Sequence, residues 1–185
     1  RDRELAGRLL SRQARQFASR RADHRAWKGE WIMAVVVADR RDASARAALR
    51  EAMRQLKLGE LREGVWLRPD NLPDLATDAR AVAAEQCRWF TAAPPDDAAA
   101  LAASLWDLHA RAADATALLD DLARVIGPLE SGDTSQLAPA FVLSAAVLRH
   151  LLDDPVLPEQ LAPPAWPGPA LRAAFGIGFC ILFAF

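Results

Sequence analysis

Apolar residues follow two different periodicities along the 185-residue chain, and these predict a strand-containing part followed by a helical part. Residues Trp31–Val37 are apolar on both faces and rich in β-branched side chains, which predicts a central strand covered on both sides. From Ala45 to Leu56 the apolar residues follow three-and-four spacing, and this predicts an amphipathic helix. Asp42 is a suitable N-cap for it and Gly59 a suitable C-terminal stop.

Two further segments predict strands in the same part of the chain. Gly64–Leu67 is a short apolar run that ends before Pro69, and Cys87–Thr91 alternates in the manner of a half-buried strand. One helix among three strands predicts an α+β sandwich of ferredoxin-like type, assigned to residues 27–93.

The chain then changes character at Pro94–Asp97, and residues 94–185 are predicted to form a helical domain. A helix at Pro139–Leu152 is apolar on most sides, while Asp154–Pro169 carries six prolines and predicts an irregular surface strap. An apolar seam that ends before Gly127-Pro128 predicts one long helix; its members are Leu101, Leu105, Leu108, Ala112, Ala115, Leu119, Leu122 and Ile126.

Charge is distributed unevenly along the chain. Residues 1–28 hold nine Lys or Arg against three Asp or Glu, whereas the rest holds fourteen against twenty-one. Asp2–Ser19 can form a helix that exposes Arg8, Arg12 and Arg15, and these arginines are candidate contacts to a polyanion such as DNA. A solvated arginine-rich helix is the alternative interpretation.

Nothing in the sequence predicts an enzyme, a cofactor or a metal site. The two cysteines form no C-x-x-C pair, and no phosphate-loop, dinucleotide, nucleophile-elbow or zinc-protease motif occurs. Asp39, at the end of the first strand, could be a metal ligand of a small nuclease, but arginines follow it and no acidic partners lie near it in sequence. The cysteine usage fits a reducing cytoplasm, and the apolar run Gly176–Phe185 is only half the length that a membrane-spanning helix requires, so we expect a soluble, cytoplasmic protein.

Five local signatures occur in one order and together carry a family resemblance. They are Trp27-Lys28-Gly29-Glu30-Trp31, Arg46-Ala47-Ala48-Leu49-Arg50 with Gly59, Gly64-Val65-Trp66-Leu67-Arg68-Pro69, Leu105-Trp106-Asp107-Leu108, and Asp154-Pro155-Val156-Leu157-Pro158 through Trp166-Pro167-Gly168. The combination resembles the PaaX-type repressors of phenylacetate catabolism over roughly Trp27 to Phe175. It departs from them at residues 57–61 and in the apolar tail from Gly176.

The resemblance implies a winged helix-turn-helix domain, a central ferredoxin-like domain similar to the Cas2 fold, and a helical C-terminal domain. Residues 1–26 would then be the tail of the winged-helix domain, whose base-reading helix would lie upstream of Arg1 or be absent. The family's usual effector is an aryl-CoA thioester such as phenylacetyl-CoA, which releases operator DNA. Such operators are palindromic, so we also expect a homodimer.

For that effector the sequence offers two kinds of contact. Arg40, Arg41, Arg46 and Arg50 are the candidate partners of its phosphates, and Trp106 is the candidate for its aryl group, with packing at a domain junction as the alternative role of Trp106. Two other functions stay open at this point: a metal-dependent nuclease of Cas2-like fold and a non-catalytic interaction scaffold.

Overall fold

A computed structural model describes residues 25–73, 77–93 and 97–182. Its strands form an antiparallel sheet and most of its remaining residues are helical, so the predicted α+β class is confirmed. The described chain falls into two compact units. We call residues 25–108 with 153–164 the sheet unit, and residues 109–152 with 165–182 the helical unit. The sheet unit thus includes segments beyond the predicted 27–93.

The sheet unit has the element order βαββαβ. These elements are β1 (Trp31–Val36), α1 (Ala43–Gln55), β2 (Gly59–Arg62), β3 (Val65–Pro69), α2 (Thr77–Gln86) and β4 (Cys87–Ala92). All neighbouring strands are antiparallel, in the order β2-β3-β1-β4. The central strand β1 places Ala34 opposite Trp66 of β3 and Trp89 of β4. The expectation that Trp31 begins a central strand is therefore confirmed.

Each face of the sheet has its own apolar core, as the residues on β1 require. Helices α1 and α2 cover one face, where Ala34 and Cys87 are buried with Leu49 and Met53 of α1. The other face carries Trp31 and Leu67, which pack with α3 (Ala98–Leu105) and with Leu161 of the strap. Because strand side chains alternate between the two faces, residues one position apart along β1 contribute to different cores.

Two elements of the sheet unit were absent from the sequence prediction, and one boundary was wrong. Strand β2 and helix α2 were not predicted. Helix α1 ends in a Schellman turn, in which Leu58 N–H donates to the Met53 carbonyl and Lys57 takes the left-handed conformation (φ 63°). Gly59 is thus the first residue of β2, not the helix stop.

The predicted long helix is broken. Helix α3 ends at Leu105, Trp106 is extended (φ −138°, ψ 140°), and α4 runs from Leu108 to Glu130. The expected stop at Gly127-Pro128 was also wrong, because α4 continues through Pro128 for a last turn in which Leu129 is buried.

The helical unit consists of most of α4, most of α5 (Leu137–Asp153) and α6 (Gly168–Leu182). Its core includes Ala115 and Leu122 from the predicted seam, with Val147, Leu151 and Leu171. The predicted helix at Pro139–Leu152 is confirmed. Within the described part of the chain, Thr134–Asp153 is long and apolar enough to cross a membrane, although core helices of soluble proteins meet the same criteria.

Candidate functional site

A small polar pocket of about 80 Å³ opens on the helix-covered side of the sheet. It lies between the first half of α1, the end of β1 and the hairpin that joins β2 to β3. Its walls combine arginine, glutamate, tryptophan and aliphatic residues: Val36, Arg41, Arg46, Leu49, Arg50, Glu60, Glu63, Gly64 and Trp66. All of these residues belong to the sheet unit.

The arginines are positioned by the start of helix α1. The Asp42 side chain accepts a hydrogen bond from Ala45 N–H at 2.7 Å and so fixes the first turn. This bond, with a second from Ser44, holds the pKa of the Asp42 carboxyl below its usual value. Arg46 and Arg50 are four residues apart and therefore lie on one side of the helix. Leu49 lies between them in sequence, is buried against the sheet and also lines the pocket, so the orientation of α1 about its axis directs this side of the helix toward the pocket.

These guanidinium groups have few partners within the described residues. Arg46 Nη1 donates to the Arg41 carbonyl oxygen at 2.6 Å. No hydrogen bond or ion pair within the described part of the chain joins Arg41, Arg46 or Arg50 to a carboxylate. Their side chains therefore keep most of their N–H donors for solvent or for a ligand.

Arg54, one turn further along α1, shows the opposite situation. Its guanidinium donates to both carboxylate oxygens of Glu51 and to the carboxylate of Asp153, the residue that precedes the strap. The hydrogen bond from Arg54 is the main reason that the pKa of Glu51 falls to about 2, and hydrogen bonds to the two carboxylates raise the pKa of Arg54. Arg54 therefore joins helix α1 to Asp153 within the sheet unit.

The hairpin supplies the other wall of the pocket. Glu60 lies on β2 opposite Trp66 of β3, while Glu63 and Gly64 form the turn. Gly64 has a φ of +80°, which the turn requires and which L residues seldom adopt. Two glutamates against three arginines leave one net positive charge in the walls. The pocket thus suits a small anion that also has hydrogen-bond donors next to its charge.

The structure separates the predicted ligand residues into two places. Arg41, Arg46 and Arg50 line the same pocket, whereas Arg40 is exposed and contributes no wall. Trp106 lies elsewhere in the sheet unit, where its ring faces Gly59 of β2 and packs with the core around Trp31. Arg8, Arg12 and Arg15 fall outside the described residues.

Sequence reasoning missed Glu60, Glu63 and Trp66 as pocket residues. The one available signal was the signature that begins at Gly64, which marked the hairpin without revealing what it faces. Cys87 lies on the same side of the sheet, but its thiol is buried, and burial raises its pKa despite the opposing influence of Arg41. A thiol held protonated in this way is a poor nucleophile.

Asp39 is the residue that the sequence offers as a candidate metal ligand. Its side chain is exposed in the segment after β1. Across residues 25–73, 77–93 and 97–182, no group of three His, Cys, Asp or Glu side chains is arranged to hold a metal ion.

Comparison with known proteins gives matches over most of the chain. Residues 24–106 match the model of the PaaX protein central Cas2-like domain, and residues 106–177 match that of the PaaX-like protein C-terminal domain. A solved structure, the uncharacterized protein Rv0674 from Mycobacterium tuberculosis, is 44% identical with a TM-score of 0.77, over 96% of this chain and 70% of that one. No curated protein matches significantly. The chain belongs to the PaaX family and carries its central Cas2-like domain and its C-terminal domain.

Proposed function

We propose that this chain is the effector-sensing and dimerisation region of a cytoplasmic transcriptional repressor, and that it releases operator DNA when an acyl-CoA thioester such as phenylacetyl-CoA binds. The observation that carries this proposal is the match of two consecutive PaaX domains over residues 24–177. The pocket on α1 adds a site of suitable chemistry, because its arginines retain donors for a phosphorylated ligand. The region would act by binding and not by catalysis.

The effector part is tested by calorimetric titration of the folded chain with phenylacetyl-CoA and with a panel of other aryl- and acyl-CoA thioesters. We expect at least one thioester to bind with a dissociation constant in the micromolar range or below. If no thioester binds to folded protein at concentrations well above that range, the effector assignment is wrong.

Operator binding is proposed to need the winged-helix domain, of which residues 1–26 would be the tail. Base recognition requires a helix in the major groove, so residues 1–185 should bind DNA weakly and with strong salt dependence, through arginines such as Arg8, Arg12 and Arg15. A gel-shift experiment at physiological salt measures this. Sequence-selective, nanomolar binding by residues 1–185 would contradict it.

A ferredoxin-like arrangement of the sheet unit is also part of the proposal. It is supported by the element order βαββαβ and the antiparallel strand order β2-β3-β1-β4.

The homodimer is proposed to form through the open part of the sheet. Phe90 pairs with Met33 and so lies on the face away from α1 and α2. Phe90 is 49% exposed, and Val37, which follows β1, is 48% exposed. Two copies that pair these faces would have the two-fold symmetry of a palindromic operator. Light scattering should give a dimer mass for the chain and a monomer mass for Phe90→Asp; a monomeric unmodified chain would refute the dimer.

A further inference from the structure

We propose that the pocket of Arg41, Arg46 and Arg50 binds a terminal phosphate group, a phosphomonoester, of a small nucleotide-like ligand. For a CoA thioester this group is the 3′-phosphate of the adenosine end. The CoA version rests on the proposed function, whereas the preference for a phosphomonoester rests on the pocket alone.

The size of the pocket limits what can enter it. A volume of about 80 Å³ exceeds the roughly 10–15 Å³ of accessible space that a single water molecule needs. Pockets that enclose a whole drug-sized ligand measure roughly 300–1,000 Å³. This pocket therefore accepts a single group while the rest of the ligand lies outside. A terminal phosphate has one covalent connection to its ligand and fits that requirement, whereas a diphosphate inside a longer molecule has two.

The charges of the walls favour a dianion. A phosphomonoester carries about −1.5 to −2 charges at pH 7 and three acceptor oxygens. Guanidinium groups bind such oxygens in pairs through parallel N–H donors, and those of Arg46 and Arg50 project from one side of α1. A monovalent carboxylate would gain less from the same donors. The arginines therefore discriminate in favour of the phosphomonoester.

The remaining walls indicate what is attached to the phosphate. Glu60 and Glu63 are acceptors that repel a bare anion but can receive N–H or O–H donors next to it. Ribose hydroxyls and an adenine amino group are donors of this kind. Trp66 offers a half-buried aromatic surface for a sugar or base. A 3′-phosphorylated adenosine satisfies all three features, while free inorganic phosphate satisfies only the arginines.

The experiment compares ligands that differ in one phosphate. The full chain is titrated calorimetrically with CoA, dephospho-CoA, adenosine 3′,5′-bisphosphate, adenosine 5′-phosphate and inorganic phosphate. We expect removal of the 3′-phosphate to weaken binding at least about tenfold. Inorganic phosphate should bind more weakly than adenosine 3′,5′-bisphosphate. Equal affinity for CoA and dephospho-CoA would overturn the inference and leave the effector proposal standing.

Variants locate the effect. Arg46→Gln and Arg50→Gln should each remove most of the difference between CoA and dephospho-CoA, whereas Arg40→Gln, an exposed arginine outside the pocket, should leave it unchanged. Glu63→Gln should tighten binding of inorganic phosphate, and this gain cannot be produced by misfolding. Helical circular dichroism and urea midpoints verify that each variant folds.

The two proposals can fail separately. If CoA thioesters do not bind but adenosine 3′,5′-bisphosphate binds and loses affinity in Arg46→Gln, the pocket inference stands and the effector assignment is wrong. If no phosphate compound binds, or if Arg40→Gln has the same effect as Arg46→Gln and Arg50→Gln, the pocket inference is wrong.

Discussion

The contact between β2 and the end of α3 can be tested by adding one methyl group. A Cβ at Gly59 would lie 2.8 Å from Leu105 Cβ and 3.0 Å from a ring carbon of Trp106. Overpacking of this kind costs about 1–3 kcal/mol, while replacing glycine by alanine in a strand returns about 0.5–1 kcal/mol of backbone entropy. We therefore expect Gly59→Ala to lower the free energy of unfolding of the sheet unit by about 1 kcal/mol, and by no more than about 2.5 kcal/mol.

The assay is urea unfolding followed by tryptophan fluorescence. Five of the six tryptophans lie in the sheet unit and only Trp166 lies in the helical unit, so the fluorescence mainly reports the sheet unit. The matched control is Gly127→Ala inside α4, where an added Cβ meets nothing within 4 Å. That change should stabilise α4 by about 1 kcal/mol, measured by circular dichroism.

Two of the three closest atoms at Gly59 belong to Trp106. Trp106→Leu should therefore lower the free energy of unfolding less in the Gly59→Ala background than in the unmodified chain. A Gly59→Ala variant as stable as the original would refute this packing.

Three further changes test other parts of the sheet unit. Lys57→Gly should raise the free energy of unfolding by up to about 1 kcal/mol, because Lys57 holds a φ of 63°; an unchanged or lower urea midpoint would count against the Schellman turn. Asn71→Ala should lower the free energy of unfolding by about 1–3 kcal/mol, because the buried Asn71 amide donates to the Val156 carbonyl at 2.8 Å. The urea midpoint measures this loss, and an unchanged midpoint would show that this bond does not anchor the strap. Folding lowers the pKa of Glu51 from the ordinary 4.5 to about 2. The ionised carboxylate of Glu51 therefore adds to the free energy of unfolding above pH 4.5, and this addition is lost as the pH falls toward 2. Because Glu51 and Arg54 are about half exposed, the loss should be under about 1 kcal/mol, and Glu51→Gln should show a shallower fall of the urea midpoint between pH 6 and pH 2.5.

The parts of the fold that were predicted correctly are those in which burial follows from local spacing. Strand β1 is apolar on both faces because two cores cover it, and α1 has a clear apolar side at Leu49 and Met53. Strand β2 lacks such a signal, since Gly59 is its only buried residue. Helix α2 buries the small side chains of Ala79 and Ala83 and the polar side chain of Gln86, so its sequence shows little amphipathic pattern.

The error at Trp106 has a different origin. The spacing of Leu101, Leu105 and Leu108 is compatible with one continuous helix, and all three side chains are at least partly buried. The chain nevertheless becomes extended at Trp106, whose ring packs on Gly59. The missing side chain at Gly59, 47 residues earlier in the sequence, makes room for that ring. Spacing within a segment carries no information on such a partner.

The walls of the pocket include residues placed by local helical spacing and residues placed by the folding of distant segments. Arg46 and Arg50 follow from the spacing along α1, but Glu60, Glu63 and Trp66 reach them through a hairpin whose position only the folded sheet determines. The arginines supply attraction for any phosphate, whereas the glutamates oppose a bare anion and favour one with adjacent donors. A related chain with the same arginines but neutral residues at positions 60 and 63 should therefore bind phosphate more tightly and discriminate less among phosphorylated ligands. If the proposed site binds such ligands, substitutions in α1 should therefore change affinity most, and substitutions in the β2–β3 hairpin should change selectivity most.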